Sequence, residues 1–260
     1  MVKPVIFFLV SLALLTRCNS SKQLNLFSIE DDIKFGVSVA SQIESDTSGY
    51  TILDSASNVK VYQYIYEIRN ELLNSGQVKY KSEFPWRIRI IQDDSTLNAF
   101  CTPGGFIYVF TGIMKFLDSE DQLAGILGHE MGHADLRHST RQMTQMFGVQ
   151  LLLEVLAGKQ QAIKEVGGAL IGLKFSRNHE VEADNNSVQY LCPTNYNAAG
   201  GAGFFEKIQS MGGGKVPEFL STHPDPGNRI QGFNAKKEEL NCKGTATYKN
   251  EYQAMLKLLP

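Results

Sequence analysis

Residues 123–136 read Leu-Ala-Gly-Ile-Leu-Gly-His-Glu-Met-Gly-His-Ala-Asp-Leu. Asp118 or Ser119 can cap a helix that begins ahead of this stretch, Asp121 places a negative charge in its first turn, and the apolar positions carry it to about Leu136. On such a helix His129 and His133, four positions apart, lie one above the other. Both imidazoles can then reach a single Zn²⁺ at about 2.0–2.1 Å. Glu130, directly after the first histidine, is placed to hold and deprotonate a water on that metal. The competing reading is a pair of helix histidines satisfied by hydrogen bonds in a core.

A catalytic zinc takes three protein ligands and keeps one position open. A metzincin would need glycine at 136 and histidine at 139, where this chain has Leu136 and Ser139, so that class is excluded. His138 is nine residues beyond His129, which on a continuous helix is the opposite face, and is therefore expected at the surface. The remaining candidates cluster at His179-Glu180-Val181-Glu182-Ala183-Asp184. Glu180 and Asp184 share a helix face, whereas Glu182 points away from it. Glu180 is read as the third ligand and Asp184 as the acceptor that fixes the N–H of a ligating histidine. His179 and Glu182 are left as solvated or rim groups.

Around these motifs the chain is mostly helical. Residues 28–45 and 58–73 are amphipathic, the first opening on a serine and an acidic turn. Residues 86–91 (WRIRII), 97–101 and 106–110 (FIYVF) read as strands, the last two joined across Thr102-Pro103-Gly104-Gly105. Further helices are expected over 139–156, 161–175, 178–191 and 197–211, with a break at Gly212-Gly213-Gly214. This is an α+β pattern with one small sheet. The 260 residues are 43% apolar and 20% charged with a net charge of -2, which gives no electrostatic footprint for nucleic acid. At the N-terminus Lys3 precedes an apolar run, Val5 to Leu15, too short to span a bilayer and suited to a signal peptide.

The chain resembles the M48 family of zinc metallopeptidases over residues 25–235. The resemblance rests on His129-Glu130-Met131-Gly132-His133 and on Glu180-Val181-Glu182-Ala183-Asp184. It extends to Asn98-Ala99-Phe100 with Pro103-Gly104-Gly105, similar to the family's hairpin over the metal, and to Thr222-His223-Pro224 with Arg229. It implies a gluzincin-like domain over 18–260 that binds one Zn²⁺ through His129, His133 and Glu180, with Glu130 as the catalytic base. It further implies His223 as a removable fourth ligand or latch, Arg229 as polariser or organiser of the site, and Asn98 and Ala99 as contacts to substrate. A free strand edge at 97–101 would let a peptide add itself by β-pairing, so recognition would depend little on sequence.

The start of the chain resembles a bacterial lipoprotein signal, with residues 1–17 removed and Cys18 lipidated, although Arg17 precedes the cysteine in place of the usual small residue. The expected location is then the periplasmic face of the outer membrane, with a lipid anchor as the membrane contact. Misfolded or misassembled envelope proteins are the expected substrates. The rival reading is a zinc-retaining binding or chaperone-like protein latched by His223, without turnover. With Cys18 assigned to lipid, Cys192 and Cys242 are a plausible disulfide, and Cys101 is read as a small buried hydrophobe.

Overall fold

A computed structural model describes residues 24–46, 49–211, 217–224 and 227–260. The expected signal segment, Cys18 and the Gly212-Gly213-Gly214 break lie outside the described residues. Helix α1 (Ile29–Ser45) starts at a capping box: the Ser28 hydroxyl accepts from Asp31 N–H, and the Asp31 carboxylate accepts from Ser28 N–H at 3.0 Å. Helix α2 (Val59–Asn74) follows, and then the sheet.

Strands β1 (Arg87–Ile91), β2 (Ala99–Thr102) and β3 (Phe106–Phe110) are ordered β1-β3-β2. β3 runs parallel to β1 and antiparallel to β2. The run Phe106-Ile107-Tyr108-Val109-Phe110 is buried throughout because both faces of the sheet are covered. Ile107 and Val109 join a core with Ile65, Ile68, Leu123 and Leu127 from one side. Phe106, Tyr108 and Phe110 join a second core with Phe35, Val39, Val166 and Leu170 from the other. Period-two alternation thus sorts one strand between two hydrophobic clusters.

The turn joining β2 and β3 needs its glycines. Gly104 and Gly105 both have φ of +77°, and a side chain on Gly104 would come within 3.0 Å of the backbone of Asp32 and Ile33 in α1. The hairpin is therefore clamped on α1, with β2 at the sheet's edge.

After the short helix α3 (Thr111–Phe116), which the sequence reading did not anticipate, helix α4 (Glu120–Asp135) carries the His-Glu-Met-Gly-His motif. The helix expected over 139–156 is two helices, α5 (His138–Met146) and α6 (Val149–Leu156), parted by extended backbone at Phe147 and Gly148. Helices α7 (Gln160–Ile171) and α8 (Arg177–Leu191) come next, with the Ser176 side chain capping α8 by accepting from His179 N–H. The helix expected from 197 starts only at Ala202, as α9 (Ala202–Ser210). Gly200 and Gly201 instead pack on Asp121 and Phe233, too close for a Cβ. Helices α10 (Glu218–Thr222), α11 (Arg229–Glu239) and α12 (Lys249–Leu256) complete the described chain. No helix among the described residues is long and apolar enough to cross a membrane.

Cys192, at the end of α8, and Cys242, after α11, form a disulfide with Cα atoms 4.8 Å apart. Cys101 is a buried free cysteine on β2.

Candidate active site

Small residues on α4 decide how closely α8 can approach it. Added side-chain atoms at Gly128 would lie 2.7 Å from Ser187 Oγ, and at Gly132 3.0 Å from the carbonyl oxygen of Ala183. Ser187 also donates its hydroxyl to the Gly125 carbonyl at 2.8 Å. This close crossing brings the carboxylate of Glu180 to the two histidines of α4. Glu180 Oε2 lies 3.4 Å from His129 Nε2, and Oε1 lies 3.4 Å from His133 Nε2.

His223, just past α10, supplies a fourth group. Its Nδ1 is 3.1 Å from His129 Nε2 and 3.3 Å from Glu180 Oε1, and the two α4 imidazoles face each other through Nε2 atoms 3.0 Å apart. Its backbone N–H donates to Phe219, and its ring stacks on the Phe219 ring at 4.4 Å. Four donor atoms, from His129, His133, Glu180 and His223, all lie within 4.8 Å of one another, and all four residues are buried.

The donor set fits a divalent cation. Ring nitrogens at 3.0–3.1 Å need a proton or a cation between their lone pairs. Both buried oxygens of Glu180 lack a hydrogen-bond partner among the described residues. A tetrahedral zinc with bonds of about 2.0–2.1 Å has ligand–ligand edges of about 3.3 Å, close to the 3.0–3.4 Å of the separations given above. Two or three imidazoles and a carboxylate are consistent with zinc.

Around the cluster the charges are organised in layers. Asp184, one turn beyond Glu180, places Oδ1 2.8 Å from His129 Nδ1. Arg229, at the start of α11, grips that carboxylate with two nitrogens, at 2.8 and 2.5 Å, and turns a third toward Glu180 at 3.2 Å. Its guanidinium lies over Phe205, 4.3 Å from the ring centroid. Arg229 is buried, and the same guanidinium also comes within 3.1 Å of His129 Nδ1. Burial works against ionisation of Glu180, yet the neighbouring His223 and His133 hold it well below the usual carboxylate range.

Glu130 is fully buried, and both its oxygens lack a partner among the described residues. Its Oε1 faces His223 Nε2 at 3.6 Å. Burial raises its carboxyl, against the opposing pull of His223 and His129. The neighbouring Cys101 thiol is pushed well above its ordinary range by burial and by the Glu130 charge.

Residues 60–237 match the sequence profile of peptidase family M48. The chain belongs to this family. Among its curated relatives, the mitochondrial metalloendopeptidase OMA1 of Arabidopsis thaliana is 32% identical over 141 residues, covering 54% of this chain and 29% of that one. The β-barrel assembly-enhancing protease of Yersinia pestis is 27% identical over 214 residues, 76% of this chain and 43% of that one. The metalloprotease YcaL of Escherichia coli K12 is 24% identical over 196 residues, 72% of this chain and 73% of that one. The match thus spans less than half the length of the first two relatives.

In this M48 chain Asn98 is buried ahead of β2, its side-chain oxygen without a partner among the described residues, and its carbonyl accepts from Phe110 N–H. Ala99 opens β2, paired with Val109. Phe219 N–H donates to the Leu97 carbonyl at 3.0 Å, so the element carrying His223 is tied to the strand edge. A cavity of about 530 Å³ opens beside Asn98, lined by Tyr50, Asp93, Phe110 and Glu218 among others.

Two sequence expectations are corrected. His138 is fully buried, not at the surface, because α4 does not continue into it. Arg137 adopts a left-handed conformation (φ 59°), held by Asp32 and by the carbonyls of Phe27 and Ser28, and this turns α5 back toward the cluster. His138 Nδ1 then lies 3.0 Å from His133 Nδ1. His179 is likewise buried, stacked on His138 with ring centroids 4.2 Å apart. Glu182 is at the rim and pairs with His138 Nε2 at 3.0 Å. Phe175, stacked on His133 at 3.9 Å, had no signal in the sequence beyond its apolar character.

Proposed function

We propose that the protein is a zinc-dependent endopeptidase, with His129, His133 and Glu180 holding one zinc ion and Glu130 as the catalytic base. The observation that carries this reading is the buried, unpartnered carboxylate of Glu130 beside four convergent donors. When bound, the zinc supplies Lewis acidity to the scissile carbonyl and to the attacking water. Glu130 takes the proton that water gives up and returns it to the departing amine. Asp184 and Arg229 keep His129 and Glu180 oriented through this exchange. The substrate lies as an added strand along the outer edge of β2, with Asn98 and Ala99 as contacts and the neighbouring cavity open to a side chain.

His223 occupies the fourth corner of the donor set, which supports a latched resting state. It also favours the second reading, a zinc-retaining binding protein without turnover. The two separate on one experiment. Glu130→Gln is expected to retain zinc while losing about 10²–10⁴-fold in cleavage of an unfolded protein such as casein. His223→Ala is expected to cleave at least as fast as wild type. Zinc-loaded protein that cleaves casein neither as wild type nor as His223→Ala would favour the latched binder, and equal cleavage by wild type and Glu130→Gln would remove Glu130 from the mechanism.

The proposed location is the periplasmic face of the outer membrane, through a lipid on Cys18. The disulfide supports an oxidising compartment, and the Val5–Leu15 run ahead of Cys18 supports export. Misassembled envelope proteins are the proposed substrate class, in keeping with the name of the Yersinia relative. Labelled palmitate should enter the wild-type protein and not Cys18→Ser; equal labelling of both would refute the anchor.

A further inference from the structure

We propose that His138 is a positioning residue for the metal ligand His133, and that with Glu182 it forms a hydrogen-bonded relay from that ligand to the protein surface. This rests on reading the four-donor cluster as a zinc site. A ligating histidine gives its second ring N–H to an acceptor, which fixes its tautomer and ring orientation and strengthens it as a ligand. His129 does this directly, with Asp184. Among the described residues no carboxylate meets the second nitrogen of His133; its Nδ1 meets His138 Nδ1 at 3.0 Å.

The protons along this path can be placed in only one consistent way. His133 turns Nε2 to the donors, so its hydrogen is on Nδ1 and is donated to His138 Nδ1. His138 must then be the tautomer with its hydrogen on Nε2, which is donated to Glu182 Oε2 at 3.0 Å. An ionised carboxylate is an acceptor only, so the chain ends there. Both rings are fixed by stacking, His133 against Phe175 at 3.9 Å and His138 against His179 at 4.2 Å.

The two ligating histidines of α4 are thus supported differently. The Asp184 side chain is 8% exposed and locked by Arg229, whereas the Glu182 side chain is 53% exposed. One support is sealed inside the domain. The other reaches solvent through an intervening imidazole, so a change at the surface can alter the hold on zinc without touching a ligand.

The test measures zinc affinity by competition with a chromophoric chelator, with circular dichroism to confirm folding. His138→Phe fills the space and removes the acceptor; it should weaken zinc binding about 10- to 100-fold. His138→Gln keeps both functions, its amide oxygen accepting from His133 and its amide nitrogen donating to Glu182, and should restore affinity to within about 3-fold of wild type. The low-field imidazole N–H proton signal of His133 should persist in the zinc-loaded Gln variant and be lost in the Phe variant. Wild-type affinity in His138→Phe, or equal losses in the Phe and Gln variants, would overturn the relay. Should the variants at 138 fail to fold, Glu182→Ala decides on a surface position: a several-fold weakening supports the relay and unchanged affinity overturns it. Wild-type protein that binds no zinc would instead overturn the metal-site reading, and the relay with it.

Discussion

Arg229 shows how much of the site depends on single buried charges. Its guanidinium is 1% exposed and answers two carboxylates, Asp184 and Glu180, which are themselves 8% and 0% exposed. Replacing it with alanine leaves both without their fork of donors, and breaking a buried pair in this way typically costs about 3–5 kcal/mol. Arg229→Ala should therefore unfold at markedly lower urea than wild type, and an unchanged midpoint would show that the fork does not hold the site. Lysine is not an equivalent replacement, since a point charge cannot grip Asp184 through two nitrogens. At this scale the sequence was informative where side-chain spacing on one helix decides the geometry. It placed His129 and His133 on one face of α4, and Glu180 and Asp184 on one face of α8. His138 was misread because its position follows from Arg137, whose left-handed backbone is held by Asp32, some 105 residues earlier. No local pattern encodes that contact.

Among the elements, the crossing of α4 and α8 matters most. Gly125, Gly128 and Gly132 line one side of α4, with Gly201, Ser187 and Ala183 against them. Gly128→Val would place its branched side chain into Ser187, whose Oγ and Cα would be 2.7 and 3.2 Å from the new Cβ. Overpacking of this kind costs about 1–3 kcal/mol, and here it also separates Glu180 from the histidines. The variant should lose thermal stability and zinc together. Full zinc binding by a destabilised Gly128→Val protein would show that the spacing of the two helices does not set the ligand geometry. The strands and the long amphipathic helices were legible because period two and period 3.6 are strong local signals. The division between α5 and α6, the late start of α9 and the short α3 were not, because tertiary packing decides them. Gly200 and Gly201, for example, lie where a helix would have driven side chains into Asp121 and Phe233.

Across the whole molecule, the disulfide and the sheet hold the site from two directions. Cys192 and Cys242 close a loop of 50 residues that contains α9, α10 and α11, and with them His223 and Arg229. Constraining a loop of that length in the unfolded chain is worth about 4 kcal/mol on the chain-entropy account. The Cys192→Ala/Cys242→Ala protein should melt well below the oxidised wild type, and a matching melting temperature would mean that the cross-link adds nothing. On the other side, β2 sits at the edge of the sheet with its turn clamped on α1, so the strand edge and the four donors belong to one packed body. The α+β class and the small sheet beside the metal helix were readable from the sequence. How three separate segments converge on one point was readable in part. Glu180, 51 residues beyond His129, was readable from the shared helix face of the 179–184 cluster, whereas His223, 94 residues beyond, was readable only through family resemblance because a loop histidine carries no periodic signal. The zinc content of the purified, dialysed protein, measured by elemental analysis beside a His129→Ala/His133→Ala variant, tests this convergence most directly. One zinc per wild-type chain and none in the variant is the expected result; wild-type protein without stoichiometric zinc, or a variant that retains it, would contradict the account.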